Sequence, residues 1–313
     1  MKNALTIMLT LLTVFWLTTS SQAQTFTGSE LLCRPTDHSV TVNVVVNTAL
    51  AEVYFEYGAE PGVYTAQTES ISSVANEPII VVIDGLEANT RYYYRMVYRT
   101  SGAPQYRPEG SFHTQRPPGS TFQFAITSDS HVNIMLGSSS IWQLTLTNIA
   151  SDNTEFLLDL GDTFAMDNVT SESGARSAYL FQRSTTYFGR LSHSVPIFLA
   201  VGNHEQEEGW HLDDNGNPVN SQPVWGTNSR KRYFPNPIPD GFYTGNTDTY
   251  YALDGDQLHE NYYAWTWGDV LFVVIDPFWY TTVKPFIGNT GGGEAEAGTG
   301  DRWEWTLGLA QFN

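Results

Sequence analysis

FQFAITSDSH, residues 122–131, is a mostly apolar run that ends in a polar cluster. The run FQFAI predicts a buried strand of a parallel sheet, and Asp129 and His131 stand just beyond its end. In extended backbone, residues two positions apart point to the same side, so this carboxylate and this imidazole can both reach a single metal ion. The stretch therefore predicts an ion-binding group at the end of a buried strand.

Two later stretches repeat this arrangement of an apolar strand with a polar end. They are FLLDLGD (156–162) and VPIFLAVGNHE (195–205). The intervening segments SSIWQLTLTNIASDN and ARSAYLFQRSTTYFGRL predict helices, and strands that alternate with helices indicate βαβ units around a parallel sheet. In such a sheet, ligands bind in the crevice outside the carboxyl ends of the strands. The candidate site residues that this geometry gathers are Asp129, His131, Asp162, Asn203 and His204.

This mixture of carboxylate, amide and imidazole groups suits Zn, Fe or Mn better than Mg or Ca alone. Gly161 before Asp162, and Gly202 before Asn203, allow the backbone to turn sharply because glycine has no Cβ. The alternative is that the Asp and Asn side chains only cap the helices that follow each strand. Three endings of the same composition favour the metal site over that alternative.

Upstream of this region, residues 30–113 alternate in the manner of β-strands. Four valines at alternate positions within residues 40–46 share one face of a strand, whereas Thr41 and Asn43 share the other, which predicts a half-buried sheet. The short strands VYFEY, PIIVVI and RYYYRMVY are separated by turn-forming stretches, as in a small β-sandwich. GLEANTRYYY places Tyr92 at the tyrosine corner of a fibronectin type III-like or immunoglobulin-like sandwich.

The opening segment has the features of a secretion signal: a lone Lys2, an apolar core, and Ser21 and Ala23 spaced for cleavage after Ala23. A retained membrane anchor is the alternative, although the apolar run is short for a bilayer, and no later segment is apolar enough to span one. The successive prolines of QRPPGS favour an extended connector. The predicted layout is a signal peptide at 1–23, an all-β sandwich at 24–115, a linker at 116–120 and an α/β domain at 121–313. The signal peptide predicts a secreted or periplasmic protein, of bacterial type.

The charge of the chain excludes some classes of partner. A net charge of −18 and a pI near 4.6 argue against a broad basic face that binds nucleic acid or anionic lipid. An anionic substrate would need local cations to draw it in, although an acidic balance is also ordinary for a secreted protein. Cys33 is the only cysteine, so there is no internal disulfide, and we expect a buried thiol at a strand edge.

Residues 205–260 are rich in Gly, Pro, Asn and Asp, and we interpret this long connection as a functional loop. Within it, the basic run RKR (230–232) is more typical of a solvated surface than of a phosphate contact, and the aromatic residues are expected to pack the loop onto the domain. His211 and His259 could line a substrate crevice. YYAWTWGDVLFVVID (262–276) predicts a pair of strands with Gly-Asp at the turn.

The three polar strand ends resemble the signature of the calcineurin-like metallophosphoesterase superfamily, which runs D-x-H, then G-D, then G-N-H-[DE]. In this sequence the signature reads Asp129-Ser130-His131, Gly161-Asp162 and Gly202-Asn203-His204-Glu205. The resemblance covers residues 122–313 and implies a two-sheet α/β/β/α domain. The preceding sandwich, with CRPTD at 33–37, is similar to that of secreted bacterial members and of the alkaline phosphatase D and purple acid phosphatase branches.

The resemblance also implies a role for each matching residue. The ligands of a two-ion centre would be Asp129 and His131 for the first ion, Asp162 for both, and Asn203 for the second. His204 would be the general acid, and Glu205 would orient His204 or lie behind the ligands. The ions (Mn, Fe or Zn) would acidify a bridging water and neutralise the charge of a phosphate ester, either a small molecule or a nucleotide.

The sequence departs from the family pattern in two respects. Purple acid phosphatases have D-x-G in the first motif and a tyrosine three residues after the second Asp; here His131 and Ala165 occupy these positions, so the purple chromophore is not expected. The superfamily also ends its site with a lone His and a G-H-x-H motif, and nothing of that kind follows Asp276, which instead precedes Pro277 as a turn initiator.

Because the final stretch DRWEWTLGLAQFN begins a helical pattern and stops, we expect the chain to be the front part of a longer protein, with the catalytic domain incomplete at its C-terminus. Two alternatives to a metal-dependent phosphoesterase stay open. One is a noncatalytic secreted binding protein with a degenerate phosphoesterase domain, and the other is a purple acid phosphatase-like enzyme.

Overall fold

The computed structural model describes residues 25–133, 137–214, 216–250, 258–285 and 305–313. The predicted signal peptide at 1–23 lies outside these residues. The N-terminal part is a sandwich of antiparallel strands: β1 (Leu31–Cys33), β2 (Val40–Val45), β3 (Glu52–Gly58), β4 (Ala66–Gln67), β5 (Pro78–Ile83), β6 (Arg91–Arg99), β7 (Gln105–Tyr106) and β8 (Gly110–His113). One sheet has the order β1-β2-β5, and the other has the order β4-β3-β6-β7 with β8 also paired to β6.

The predicted strands of the sandwich are confirmed, and alternate valines of β2 pack into its core together with Phe55 and Met96. Tyr92 adopts the predicted corner geometry, because its hydroxyl accepts a hydrogen bond from the backbone N–H of Glu87 at 2.9 Å. Cys33 is buried on β1, the edge strand of its sheet, as expected.

The predicted half-burial of β2 is wrong, since every residue of this strand is buried. Its polar face lies against the second domain: the side-chain amide of Asn43 donates to the carbonyl of Arg232 at 3.0 Å, and the Arg183 guanidinium donates to the carbonyl of Asn43. Leu31, Cys33 and Val45 belong to the same hydrophobic cluster as the helices of that domain. The alternation of valine with Thr and Asn therefore marks a domain interface, where polar side chains find backbone partners on the neighbouring domain.

The second domain begins with the predicted parallel sheet, whose helices lie on one face. Its elements are β9 (Ala125–Thr127), α1 (Ser139–Ser151), β10 (Leu157–Asp159), α2 (Glu172–Arg183), β11 (Ile197–Leu199) and α3 (Gln222–Tyr233). The strand order is β11-β10-β9, with both pairs parallel. Because the strands run in one direction, their carboxyl ends lie side by side, and the polar residues that follow them meet at one edge.

A second, antiparallel sheet stacks on the other face of the first. It consists of β12 (Thr244–Gly245), β13 (Tyr263–Trp267) and β14 (Val270–Val274), and a short helix, α4 (Gly308–Phe312), follows near the end of the chain. The predicted hairpin of β13 and β14 is confirmed. Aromatic rings fill the space between the sheets, and the rings of Phe198 and Trp265 stack with their centroids 4.2 Å apart. The fold is thus the predicted β-sandwich followed by a two-sheet α/β domain.

Two interpretations of residues 205–260 are wrong. The segment is not a plain loop, because it contains α3, and Arg230 within the basic run is only 1% exposed rather than solvated. The Arg230 guanidinium pairs with both carboxylate oxygens of Glu207 at 2.8 Å. The expectation for the aromatic residues holds, as Trp225 and Tyr233 are buried against the domain. Within the described residues, none of the helices combines the length and the apolar character that a membrane span requires.

Candidate metal centre

The turns that follow the three parallel strands are tied to one another through their backbones. The N–H of Asp129 donates to the carbonyl of Gly161 at 3.0 Å, and the N–H of His131 donates to the carbonyl of Asp162 at 3.2 Å. Asp129, His131 and Asp162 all have left-handed backbone, with φ of 56°, 47° and 56°, so the extended backbone that was expected to direct Asp129 and His131 to the same side is wrong. Non-glycine residues adopt left-handed backbone at a cost, and they do so most often at functional sites where the surroundings hold them in place.

The structure brings His131, Asp162 and His204 together, one from each turn. A ligand atom of each lies within 4.8 Å of those of the other two, an arrangement that could hold a metal ion. The Nε2 atom of His131 is 3.6 Å from Oδ2 of Asp162, and the rings of His131 and His204 have centroids 4.9 Å apart. Distances of this size between ligand atoms leave room for an ion between them.

Two imidazole nitrogen atoms at this place have no hydrogen-bond partner among the described residues although they are buried: Nε2 of His131 and Nε2 of His204. Buried polar atoms without a partner are rare in proteins and call for an explanation such as a bound ion. Imidazole nitrogens beside carboxylate and amide groups are the ligands that Zn, Fe or Mn bind. The residues present therefore fit a transition-metal centre.

Asp129 lies beside this group but is not one of its three members. Its side chain is 63% exposed, with Oδ1 3.3 Å from Nε2 of His131 and the other oxygen in contact with the Ser128 hydroxyl. An open cavity of about 490 Å³ adjoins it, lined by residues 126–130 and by the start of α1. The carboxylate thus stands between the buried imidazoles and open space, where an incoming substrate would approach.

His204 is oriented by a residue that the sequence did not single out. Oδ1 of Asp167 lies 2.5 Å from Nδ1 of His204, so Nε2 faces the metal-binding group. This hydrogen bond raises the pKa of His204 above its ordinary value, whereas burial acts in the opposite direction. A second carboxylate that prediction missed is Asp159, which is fully buried, accepts hydrogen bonds from Thr127 and Thr163, and has its pKa raised to about 6 by burial.

Glu205 does not bond to His204; its carboxylate instead ties two turns together. Oε2 accepts the backbone N–H groups of Asp162 at 2.9 Å and Gly202 at 2.7 Å. Oε1 accepts those of Thr163 at 2.9 Å and Phe164 at 3.0 Å. Burial and the neighbouring carboxylate of Asp162 raise the pKa of Glu205 to about 8, while the backbone N–H groups lower it.

The close approach of these two turns requires their glycines. Gly161 has φ of +96°, and a Cβ there would lie 2.3 Å from the backbone nitrogen of Gly202. A Cβ on Gly202 would lie 2.3 Å from Oδ1 of Asp162. Only residues without a side chain fit where two backbones come this close, which is a further reason for these glycines beyond the sharp turn that the sequence predicted.

The remaining candidates lie apart from the metal-binding group. His211 bonds to Asp214 with Nδ1 and Oδ2 2.6 Å apart, and His259 is 1% exposed and packs against Trp279 with the two rings tilted. Asp276 initiates a turn as predicted, since its carboxylate accepts the backbone N–H of Phe278 at 2.7 Å. A buried histidine such as His259 cannot line a substrate crevice, so that expectation is wrong for this residue.

Fold and site residues together are those of the metallophosphoesterase class of proteins. The family model for calcineurin-like phosphoesterases matches residues 122–281, just over half of the chain, and the chain belongs to this family. This membership confirms the resemblance that the three motifs indicate.

Among solved structures, PhoD has a similar fold, with a TM-score of 0.58 and 17% sequence identity over 82% of this chain and 52% of the PhoD chain. The chain thus spans about half of the length of PhoD. The sensor domain of the anti-sigma factor RsgI4 in Pseudobacteroides cellulosolvens matches 30% of this chain and 97% of its own at 15% identity, with a TM-score of only 0.24. The comparison with curated proteins gave no match.

Proposed function

We propose that this protein is a secreted metal-dependent phosphoesterase that hydrolyses phosphate esters at a two-ion centre. Its proposed ligands are Asp129, His131, Asp162 and Asn203. The observation that carries the proposal is the group of His131, Asp162 and His204, whose ligand atoms lie within 4.8 Å of one another at the ends of three parallel strands.

Bound ions would neutralise the charge of the phosphate ester, orient it and activate the attacking water. The protein supplies the rest of the site. Glu205 fixes the turn of Asp162 against that of Asn203, and the Nε2 atoms of His131 and His204 are buried. The exposed carboxylate of Asp129 lies at the entrance, beside the cavity.

His204 is the proposed general acid. Its Nδ1 atom is held by Asp167, so the proton available for transfer is the one on Nε2, the atom that faces the site. The raised pKa favours the protonated imidazole, which is the form that an acid needs in order to protonate the leaving oxygen. Because Nε2 also belongs to the candidate ligand group, the alternative role for His204 is that of a ligand.

The test is phosphate release from chromogenic phosphate mono- and diesters, measured with Mn²⁺ or Zn²⁺ and after treatment with a chelator. We expect chelation to abolish turnover and Mn²⁺ to restore it, and we expect Asp162→Asn to lower turnover at least about 100-fold. Asp152→Asn, at the end of α1 and away from the site, is the matched control and should behave as the wild type. Wild-type activity in the Asp162→Asn variant would overturn the proposal.

Calorimetric titration with Mn²⁺ separates the two roles of His204. If His204→Ala keeps its Mn²⁺ affinity and loses turnover, the residue is the acid; if it loses both, the residue is a ligand. The same titration tests the noncatalytic binding protein, since uptake of Mn²⁺ by the wild type would overturn that rival.

A further inference from the structure

Arg34, in the CRPTD stretch of the N-terminal sandwich, reaches into the second domain. It directly follows β1 and has left-handed backbone, with φ of 51°. Its Nε atom donates to the backbone carbonyl of Asn236 at 2.6 Å, and its Nη2 atom pairs with Oε1 of Glu260 at 2.9 Å. The side chains of Arg34 and Glu260 are only 19% and 4% exposed, so solvent screens this contact weakly.

Asn236 in turn is bound to the strand that leads into the metal-binding group. Its side-chain amide accepts the N–H of Leu199 at 3.0 Å and donates to the carbonyl of the same residue at 2.8 Å. β11 is an edge strand, and Leu199 is its last residue, four positions before Asn203. The amide therefore takes the place of a neighbouring strand just where the ladder ends.

The backbone of Asn236 is held from both sides. Its carbonyl accepts from Arg34, and its N–H donates to Oε2 of Glu260 at 2.9 Å, so the arginine and the glutamate that pair with each other also bracket this residue. Asn236 is 1% exposed. A charged donor and a charged acceptor form stronger hydrogen bonds than neutral groups do, and here both act on the backbone of one residue.

We propose that Arg34 is a positioning residue, through which the sandwich fixes Asn236, the end of β11 and the turn of Asn203 and His204. The order of contacts is Arg34 and Glu260, then Asn236, then Leu199, and then the turn that carries the two site residues. The consequence for catalysis rests on the proposed function, whereas the mechanical link does not. The sandwich is then part of the machinery that shapes the site rather than a spacer.

Hydrogen exchange, followed by mass spectrometry, tests the link directly, because the N–H of Leu199 is itself bonded to Asn236. In Arg34→Gln we expect the amides of residues 197–205 to exchange about tenfold faster than in the wild type, as loss of a charge-assisted hydrogen bond predicts. Arg107→Gln is the matched control: Arg107 pairs with Glu30 inside the sandwich at 2.8 Å, with the same exposures of 19% and 4%. Unchanged exchange at 197–205 in Arg34→Gln, or equal acceleration in Arg107→Gln, overturns the proposal.

Two further measurements complete the test. If Arg34→Gln does not fold, Arg34→Lys keeps the charge opposite Glu260 but cannot hold the Asn236 carbonyl at the same time, and the same comparison is made with it. Titration with Mn²⁺ should show about tenfold weaker binding for the Arg34 variant than for the Arg107 variant. If the wild type binds no Mn²⁺, the proposed function fails, and exchange at 197–205 still decides whether Arg34 positions β11.

Discussion

His204 has one ring nitrogen engaged and the other directed at the metal-binding group. The carboxylate of Asp167 holds Nδ1 at 2.5 Å, which fixes the orientation of the ring and places the exchangeable proton on Nε2 when the imidazole is charged. Without this carboxylate, either ring nitrogen can carry the proton of the neutral imidazole, and the raised pKa is lost with it. Asp167 is thus the residue on which the proposed acid function of His204 depends.

Asp167→Asn is predicted to lower turnover by about 10- to 100-fold and to move the alkaline limb of the pH–rate profile to lower pH. The sign follows from the raised pKa of His204: loss of the carboxylate lowers that pKa, so the acid form disappears at a lower pH. The measurement is kcat against pH. Asp37→Asn is the control, because Asp37 makes a similar contact with His38 at 2.6 Å on the sandwich. A variant with an unshifted alkaline limb would contradict the role of Asp167.

The sequence predicted which residues stand at the strand ends, but it could not reveal Asp167 or the contacts of Glu205. Strand ends are found from local patterns, because the apolar run, the glycine and the polar side chain are adjacent. The bond between Asp167 and His204 joins residues 37 positions apart across two turns, and no local pattern encodes such a contact. Glu205 was expected near His204, yet its carboxylate reaches backbone groups that follow another strand.

The burial of His259 predicts that the protein becomes less stable in acid. This histidine is fully buried, and burial, with Arg230 and Lys231 nearby, lowers its pKa well below the ordinary value, although Glu207 is 3.7 Å away. The unfolded chain gains a proton on this ring below a pH of about 6.5, whereas the folded protein does not, so acid favours unfolding. Stability present above that pH is lost as the pH falls.

The measurement is urea unfolding at pH 7.5, 6.5 and 5.5 for the wild type and for His259→Gln, whose side chain does not titrate. We expect the stability of the wild type to fall relative to the variant by up to about 1.4 kcal/mol for each pH unit below that ordinary pKa. Buried acids such as Asp159 and Asp276, with their pKa raised to about 6, have the same effect on the pH dependence of stability in both proteins. If the free energy of unfolding depends on pH in the same way in both proteins, His259 is not the source of the loss of stability in acid.

At the scale of elements, one carboxylate sets the distance between β10 and β11 at their carboxyl ends. Glu205 accepts four backbone N–H groups that would otherwise be buried without partners in two turns that touch through glycine. An amide in its place has one acceptor oxygen and turns an NH₂ group toward backbone donors. The geometry of the metal-binding group is therefore coupled to the chemical identity of this side chain.

Glu205→Gln is predicted to destabilise the protein by about 3 kcal/mol, because the NH₂ group of the amide cannot accept hydrogen bonds and leaves two buried backbone donors without a partner. Equilibrium urea unfolding measures the change. Glu172→Gln serves as the control, since Glu172 pairs with Arg176 on the surface of α2, where such a pair contributes about 0.5 kcal/mol at most. Equal effects of the two substitutions would show that the carboxylate of Glu205 is not a structural acceptor.

The elements that the sequence predicted are those with a clear apolar pattern, and α3 is a helix that it missed. QPVWGTNSRKRY has no continuous apolar face, since Thr227, Ser229 and Arg230 are buried beside Val224. The helix is held by polar contacts instead, above all the buried pair of Arg230 and Glu207. Periodicity finds helices that bury apolar side chains, and it fails for a helix whose buried face is polar.

At the scale of the whole molecule, the two domains share a hydrophobic core. Side chains of β1 and β2 lie in one cluster with residues from α1 and α2, and the backbone of Gly28 touches that of Arg183 at the end of α2. A Cβ on Gly28 would lie 2.1 Å from the carbonyl oxygen of Arg183, so the contact tolerates no side chain. We therefore expect the sandwich and the second domain to unfold together in one calorimetric transition.

Gly28→Ala is predicted to lower the midpoint of that transition by several degrees more than Gly85→Ala does. Both glycines have left-handed backbone, with φ of +78° and +73°, so the conformational cost of alanine is shared. Around a Cβ on Gly85 there is nothing within 4 Å among the described residues, and only the Gly28 variant must push the domains apart. Differential scanning calorimetry gives the comparison; equal shifts, or two separate transitions, would contradict the shared core.

Because the polar face of β2 binds the second domain, the predicted connector at residues 116–120 is not the only link between the two domains. A single break of the polypeptide there would sever the covalent route between the halves without parting them, because the apolar cluster and the buried guanidinium of Arg183 would still hold both. The nicked protein should migrate as one particle until denaturant is added. The predicted boundary at residues 116–120 therefore separates two segments of sequence, but the folded protein does not come apart there.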